Sequence, residues 1–557
     1  MTSDDRMDVD RESLPEEGRM KEVERGDTSI LLSRVQGRLH ACGGKCSHYG
    51  APLAKGRLFG REVVCPWHHS RFDVTNGRLI APPALDDLPA YSIQEQPDGA
   101  MVQMGPGHEV PIPAGHDDRR VVIVGGGAAG IAAAEMLRRE AFAGPIVMIT
   151  PEQDLPYDRP TLSKGFLGGK AAVDSLPLRH AAFYEARGIQ ILRGRRAVRL
   201  DPGARSVTTD DGREHRFDFC LLATGGRPRA MTVPGSELPG IFLLRSFADA
   251  RAIAAAAEKA SHALIVGGGF IGIECAASLR QRGLAVDVIL REEAPMERIF
   301  GARIGRMLRS RHEANGIRFH LRASVRAFLG SGAVSGIELA DGARIDGDLV
   351  LVGIGVDPAV EYLRDSGLLD NGAVPVDGRL QTPAPDIFAA GDIARVPHAY
   401  GRVARQVKNQ GQGDAKGQAQ GKAKGQAQGN AGGHPQGNSA WRIEHWTVAL
   451  RQGRHAAASM MGATRPYDEV PFFWTRQGEM SLKQAGHASH LERIAYRGDV
   501  EAGKFLAGIY EQERLRAVIG MGVVSDFQVL ELLLREGRDV PFEKFEDPQF
   551  SFASLMA

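Results

Sequence analysis

Two stretches, "RRVVIVGGGAAGIAAAEML" and "HALIVGGGFIGIECAASLRQRGLAVDVIL", each run an apolar strand into a glycine turn and then into a helix of small residues. Few folds accept that unit twice. In the first, Gly125, Gly127 and Gly130 form G-x-G-x-x-G; Gly267, Gly269 and Gly272 repeat it about 140 residues later. Glycine lets the backbone approach a pyrophosphate, and the helix N-terminus adds N–H donors and a favourable dipole. The pattern therefore predicts two dinucleotide sites in an α/β chain.

Three further elements identify the first site. After the next strand, "PIVMITPE" ends at Glu152, where a carboxylate can take the adenosine ribose hydroxyls. The stretch "FDFCLLATGGRPR" reads as an apolar strand whose turn, with Thr224 and Gly225, returns the chain beneath the cofactor. In "TPAPDIFAAGDIA", Asp392 stands at a strand end, where it can accept hydrogen bonds from the ribityl chain of FAD. Any one of these elements alone is an ordinary turn or cap, but in this order they predict FAD and a nicotinamide cofactor.

At 557 residues, and about 150 residues per domain, the chain is expected to hold three or four domains. A formal net charge of +1 gives no electrostatic pull toward nucleic acid or an anionic membrane. The acidic start "MTSDDRMDVDRESLPEEG" carries no apolar run, and no uninterrupted apolar run approaches ~20 residues, so neither a targeting segment nor a membrane span is expected. Five scattered cysteines do not make a disulfide framework, which points to a reducing cytoplasm.

Composition also divides the chain. After a tail at residues 1–12, short β-type runs predict a small all-β module over 13–105, followed by a Pro/Gly linker at 106–118. Alternating strands and Ala-rich helices then predict a first FAD-binding segment at 119–235, a nicotinamide-binding domain at 236–358 and a second FAD-binding segment at 359–465. Residues 466–557 are left for a C-terminal domain. Within the second FAD segment, 408–439 is rich in Gly, Gln, Ala and Lys, with almost nothing apolar to bury, and reads as a disordered surface loop.

The β module spends two of the five cysteines beside histidines. Cys46-x-His48 and Cys65-x-x-His68 are separated by sixteen residues, so two tight turns each present one thiolate and one imidazole. This resembles the Rieske [2Fe-2S] pattern, in which one iron takes both cysteines and the other both histidines. Zinc is the competing reading, but zinc fingers group like ligands as C-x-x-C and H-x-x-x-H. His69 is expected to neighbour the centre without binding it, and Cys42 to be structural. Respiratory-chain Rieske proteins carry an extra cysteine in each loop, where this chain has Ala51 and Trp67. The resemblance is therefore to the Rieske ferredoxin class and implies a potential near the low end of the range, about −150 mV.

From Arg119 onward the chain is similar to the flavoprotein reductases of the apoptosis-inducing-factor and oxygenase-coupled ferredoxin reductase group, on "LPYDRPTLSKGFL", "GGGFIGIE", "AAGD" and "PFFWT". With the Rieske part in front, and with "MERIFGARIGRML" and "RIEHWTVALRQGR", it looks most like the apoptosis-inducing-factor-like proteins that fuse both parts. The resemblance spans all but residues 1–12 and the Gln/Gly/Lys loop. It implies an all-β Rieske module followed by a glutathione-reductase-like two-dinucleotide-binding α/β fold and a C-terminal α+β interface domain, which leaves a homodimer open. It also implies that Arg159 and Lys164 lie beside the flavin, that Lys164 pairs with Glu274 as the catalytic pair, and that Trp446 and Trp474 pack near the ring. A cation there would stabilise the negative charge gained on reduction. No C-x-x-x-x-C follows the first glycine motif, so no redox-active disulfide is expected.

The implied activity is an FAD-dependent NAD(P)H oxidoreductase. Electrons would pass from nicotinamide through FAD and the cluster to an external acceptor such as an oxygenase or another redox protein. Direct reduction of a small acceptor, or redox sensing, stands as the alternative. For donor choice, "VDVILREEAP" has Leu290 where many relatives place a ribose-binding glutamate. Glu292 or Glu293 could reach the 2′-hydroxyl, whereas Arg291 could accommodate a 2′-phosphate. Two nearby carboxylates favour NADH, with Glu292 as the candidate contact.

Overall fold

The structure, a computed structural model, describes residues 6–104, 116–397 and 440–556. The first block is all β. A six-stranded antiparallel sheet runs in the order Arg6–Asp10, Gly99–Gln103, Ala90–Gln96, Arg38–Gly43, Thr28–Val35, Met20–Arg25. A second sheet, Arg57–Phe59, Glu62–Val64, Arg71–Asp73 and Leu79–Ala81, carries the Cys65–His68 turn between its two middle strands, while Cys46–His48 follows Arg38–Gly43 of the first sheet. Residues 6–12 correct the expected tail, because Arg6–Asp10 pairs antiparallel with Gly99–Gln103. The acidic residues of this segment hide a period-two pattern in which Val9 is buried in the sheet.

Parallel sheets form where strands alternate with helices. The FAD-type sheet has the order Ile189–Arg193, Ile146–Thr150, Val121–Val124, Phe219–Leu222, Ile387–Ala389. Strand order reverses beside Val121–Val124, and a ligand crevice opens at the carboxyl ends of such strands. Its last strand arrives only after the nicotinamide-type sheet, Ile241–Phe242, Leu349–Val352, His262–Val266, Ala285–Ile289 and Ile317–His320, so the first domain is built from two segments. The two chain crossings between these domains, Gly226–Pro228 and Val356–Pro358, pair antiparallel with each other.

The C-terminal domain packs the helix Ser525–Glu536 on a five-stranded antiparallel sheet of order Phe472–Gln477, Met480–Gly486, Arg514–Met521, Lys504–Glu511, Arg493–Asp499. The fold class matches the expectation throughout. Helix Trp446–Met460 lies against helix Ala128–Arg139 so closely that a Cβ at Gly453 would fall 2.1 Å from the Ala129 carbonyl oxygen. That approach presents Trp446 to the crevice.

Most of the expected linker, and the whole low-complexity stretch 408–439, lie outside the described residues. Its described flanks meet: Val396 pairs with Trp441 and Pro397 with Ala440. Because loop-closure cost grows slowly with length, a short Gly/Ser bridge in place of residues 410–437 should leave FAD content and NADH-to-dye turnover unchanged. Flavin absorbance of the purified variant and its dye assay check this.

Candidate functional site

A cavity of 1160 Å³ opens at the switch point of the first parallel sheet and extends to the second glycine turn. Gly125, with φ +122°, turns the chain so tightly that a Cβ would lie 2.1 Å from the Ala223 carbonyl oxygen. A Cβ at Gly127 would meet only Arg159 Nε at 4.0 Å, so the backbone there is open for a phosphate. Gly130 does not line the cavity. It lets helix and strand close up, with the Gly125 carbonyl oxygen 2.0 Å from its would-be Cβ. Gly267, Gly269 and Gly272 repeat these three roles, and Gly269 has nothing within 4 Å.

Glu152, Thr224, Gly225, Asp392, Trp446 and Trp474 all line the cavity. Glu152 accepts hydrogen bonds from Tyr157 and Arg159. Arg159 thus stands by the glycine turn and Glu152, while Lys164 is held by Glu274. Asp392 pairs with Arg245 at 2.7 Å, and Arg159 donates to the Arg245 carbonyl at 2.9 Å. The Arg159 guanidinium beside the open backbone of Gly127 suits a pyrophosphate, while that of Arg245 lies against Gly225 and Asp392.

The segment around Lys164, expected as a shaped loop, is a 3-10 turn, Arg159–Thr161, running into one wide helical turn, Leu162–Phe166. Lys164 Nζ donates to Glu274 at 2.8 Å and to the Pro160 carbonyl at 3.1 Å. Glu274 is 4% exposed and also accepts from Ser163 at 2.6 Å and Thr475 at 2.7 Å. Both oxygens of this buried carboxylate are therefore satisfied, as a buried charge requires. The arrangement holds an ammonium at the cavity wall beside Trp474.

The two ligand turns of the β module bring like groups together. Nδ1 of His48 and Nδ1 of His68 approach to 3.2 Å, and the Cys46 and Cys65 thiols hydrogen-bond to each other. The thiols and the imidazoles form two separate pairs, and no three metal-binding side chains converge on a single-ion position among the described residues. Two irons, each with two like ligands, suit this donor set better than one tetrahedral zinc. Burial lowers the pKa of His48 to about 4, and burial reinforced by the His48 charge takes His68 to about 2, so both rings are neutral, as ligands must be. The Cys65 pKa falls to about 7, through the Cys46 thiol and then, against burial, the backbone N–H groups of His68 and Trp67 and the charge of Lys483. Cys42 is buried in the module core, its pKa raised to about 12 by that burial, consistent with a structural role.

His69 turns away from the centre. Its backbone is left-handed, φ 58°, its ring stacks on Phe472 at 4.3 Å, and its Nδ1 engages Glu531. The reductase part holds the ligand loops elsewhere too. Gln528 donates to the carbonyls of Val64 and Cys65, each at 3.2 Å, and Lys483 to that of Pro66 at 2.5 Å. Tyr49, whose ring lies 4.0 Å from that of His48, donates to Asp158, a carboxyl that burial holds above the usual range. Most directly, the ring of His68 lies 4.3 Å from that of Trp474, and Trp474 lines the flavin cavity.

At the second glycine turn the expectations hold less evenly. Glu292 does not line the cavity and pairs with Arg298 at 2.9 Å; Glu293 pairs with Arg322 at 2.5 Å. Leu290 is buried against Gly268. Several site residues carried no local signal. Arg245 lines the cavity without belonging to any quoted motif, and Asp158, Thr475 and the cavity-lining His445 lie inside quoted motifs without an assigned role.

An FAD-type cavity joined to a nicotinamide-type turn, with a Rieske ligand set docked on its wall, defines a flavin-linked nicotinamide oxidoreductase carrying its own iron–sulfur domain. Residues 119–453 match the pyridine nucleotide-disulphide oxidoreductase family, residues 6–92 the Rieske [2Fe-2S] domain and residues 472–556 the reductase C-terminal domain, and the chain belongs to that oxidoreductase family. It is 32% identical over 541 residues to apoptosis-inducing factor 3 of Homo sapiens, covering 94% of this chain and 83% of that protein. Rhodocoxin reductase of Rhodococcus erythropolis is 31% identical over 441 residues, 78% of this chain and 94% of its own. Among solved structures, the covalent putidaredoxin reductase–putidaredoxin complex superposes with a TM-score of 0.69 at 27% identity, over 79% of this chain and 99% of that one. FAD, NAD(P)H and a [2Fe-2S] cluster are the cofactors these matches carry. All five cysteines are free, so the chain holds no disulfide.

Cys65→Ser should abolish most of the Rieske absorbance and iron content while FAD stays bound, because no residue of the β module lines the flavin cavity. Iron analysis and the flavin spectrum of one preparation decide it. Loss of flavin together with iron would show that the two parts depend on each other for folding.

Proposed function

We propose that this oxidoreductase takes hydride from NADH and delivers electrons singly, through its own Rieske centre, to an external redox protein such as an oxygenase component. The contact of His68 with Trp474 carries the reading, because one side chain touches both a cluster ligand and the flavin cavity. Bound in their sites, FAD accepts hydride from the nicotinamide and the cluster holds one electron at a time, so the flavin converts between the two.

The residues of the chain then have defined tasks. Glu274 fixes Lys164, whose ammonium offsets negative charge at the adjoining cavity wall. Arg159 orients the phosphates, Arg245 fixes Asp392, and Glu152 takes ribose hydroxyls. Trp446 and Trp474 wall the cavity against water. Each hydride taken brings two electrons and one proton, so passing both electrons on singly leaves one proton to be released to solvent. Similarity to rhodocoxin reductase and to a reductase solved with putidaredoxin supports a redox-protein acceptor. No helix among the described residues is long and apolar enough to cross a membrane, and the five free cysteines support a reducing, cytoplasmic setting.

Anaerobic titration with NADH, following flavin and cluster absorbance together, tests the route. Flavin bleaching followed by cluster reduction is expected. In Trp474→Ala, cluster reduction should slow by roughly tenfold while flavin reduction persists. Fast dye reduction with a cluster that never reduces would favour direct reduction of a small acceptor or redox sensing instead.

Donor selectivity should be modest. Arg298 and Arg322 offset the two carboxylates that would repel a 2′-phosphate. A kcat/KM for NADH above that for NADPH by less than about tenfold is expected, and a higher value for NADPH would overturn the choice of donor.

A further inference from the structure

Lys483 has a setting that hydride transfer does not explain. It lies on strand Met480–Gly486 directly opposite Trp474 of strand Phe472–Gln477. Directly paired residues project from the same face of a sheet, so the pair forms one surface toward the β module. Trp474 meets His68, and Lys483 Nζ donates to the carbonyl of Pro66, the residue after ligand Cys65. Burial pulls the Lys483 pKa down to about 8, against the attraction of Cys65 and Glu531. No carboxylate lies within ion-pair distance of it among the described residues, and a half-buried cation without a counter-charge carries a desolvation cost.

The missing counter-charge has a natural source. In a Rieske centre two ferric ions, two sulfides and two thiolates cancel, and one added electron leaves a net negative charge beside the Cys65 loop. Net charge and hydrogen bonding near the sulfurs are among the factors that set such potentials. We propose that Lys483 is a positioning residue that raises the reduction potential of the Rieske centre, its ammonium stabilising the electron received there and, through Pro66, fixing the ligand loop. The step moves one electron from reduced flavin to the centre and no proton or other group. A domain of the reductase would thus tune the cluster of the module docked on it.

This inference rests on the proposed Rieske route, and the test separates the two. Redox titration of the full-length holoprotein, with the cluster followed by electron paramagnetic resonance and the flavin by absorbance, compares wild type with Lys483→Gln and Lys483→Arg. Gln keeps a donor for the Pro66 carbonyl and removes the charge; Arg keeps the charge. In Lys483→Gln the equilibrium constant for cluster reduction should fall roughly tenfold, ~59 mV for a one-electron couple, with the flavin potential unchanged. Lys483→Arg should stay within about twofold of wild type. A cluster potential in Lys483→Gln equal to wild type overturns the proposal, as does an equal fall in both variants. Wild type without a Rieske signal would instead defeat the underlying route.

Discussion

The fit between the β module and the reductase body rests on a partly buried ionic clamp. Arg71 forks onto Glu469 at 2.6 and 2.8 Å and reaches Glu62, which Arg535 also holds at 3.0 Å. Arg139 and Arg179 take Asp87 and Asp86 on the other flank. Buried pairs of this kind return little net stability, because desolvation offsets much of the attraction. Misplacing one, however, leaves an unpaired charge in a low dielectric, so the clamp discriminates strongly between registers. The docked register sets His68 against Trp474.

Glu274 plays the corresponding part around the cavity. It sits on helix Phe270–Gln281 of the nicotinamide-type domain, yet accepts from Ser163 and Lys164 of the first FAD segment and from Thr475 of the C-terminal sheet. One carboxylate thus ties three domains at the wall where Trp474 stands. The glycine turns need no such help, since their openness is a local property of the backbone.

That contrast explains what could be read from the chain alone. The glycines, Asp392 and the Cys/His turns were legible because a short stretch states both the geometry and the chemistry. The Lys164–Glu274 pair was reachable only through family resemblance, because its partners are 110 residues apart. Lys483 and Pro66, 417 residues apart, carried no signal at all, since a lysine on a strand is ordinarily solvated. Arg6–Asp10 reads as tail in the sequence because its acidic residues mask the alternation of Met7 and Val9. Spacing beyond the strand points to Glu292 but carries no trace of Arg298, with which Glu292 pairs outside the cavity lining.

Docking the Rieske module in cis also changes the character of the transfer that the proposed route requires. Two separate proteins must meet, and charge-steered encounters weaken with salt. A tethered module faces its partner surface at an effective concentration on the order of millimolar, and the weak net stability of the clamp is then sufficient to keep it seated. Because the side chains of Arg71, Arg139 and Asp87 are almost fully covered and that of Glu469 mostly so, salt screens these contacts less than a surface pair. The internal step would therefore be insensitive to ionic strength, leaving salt dependence to the encounter with the external acceptor. Fusion removes one diffusional event and confines the other to the outgoing electron.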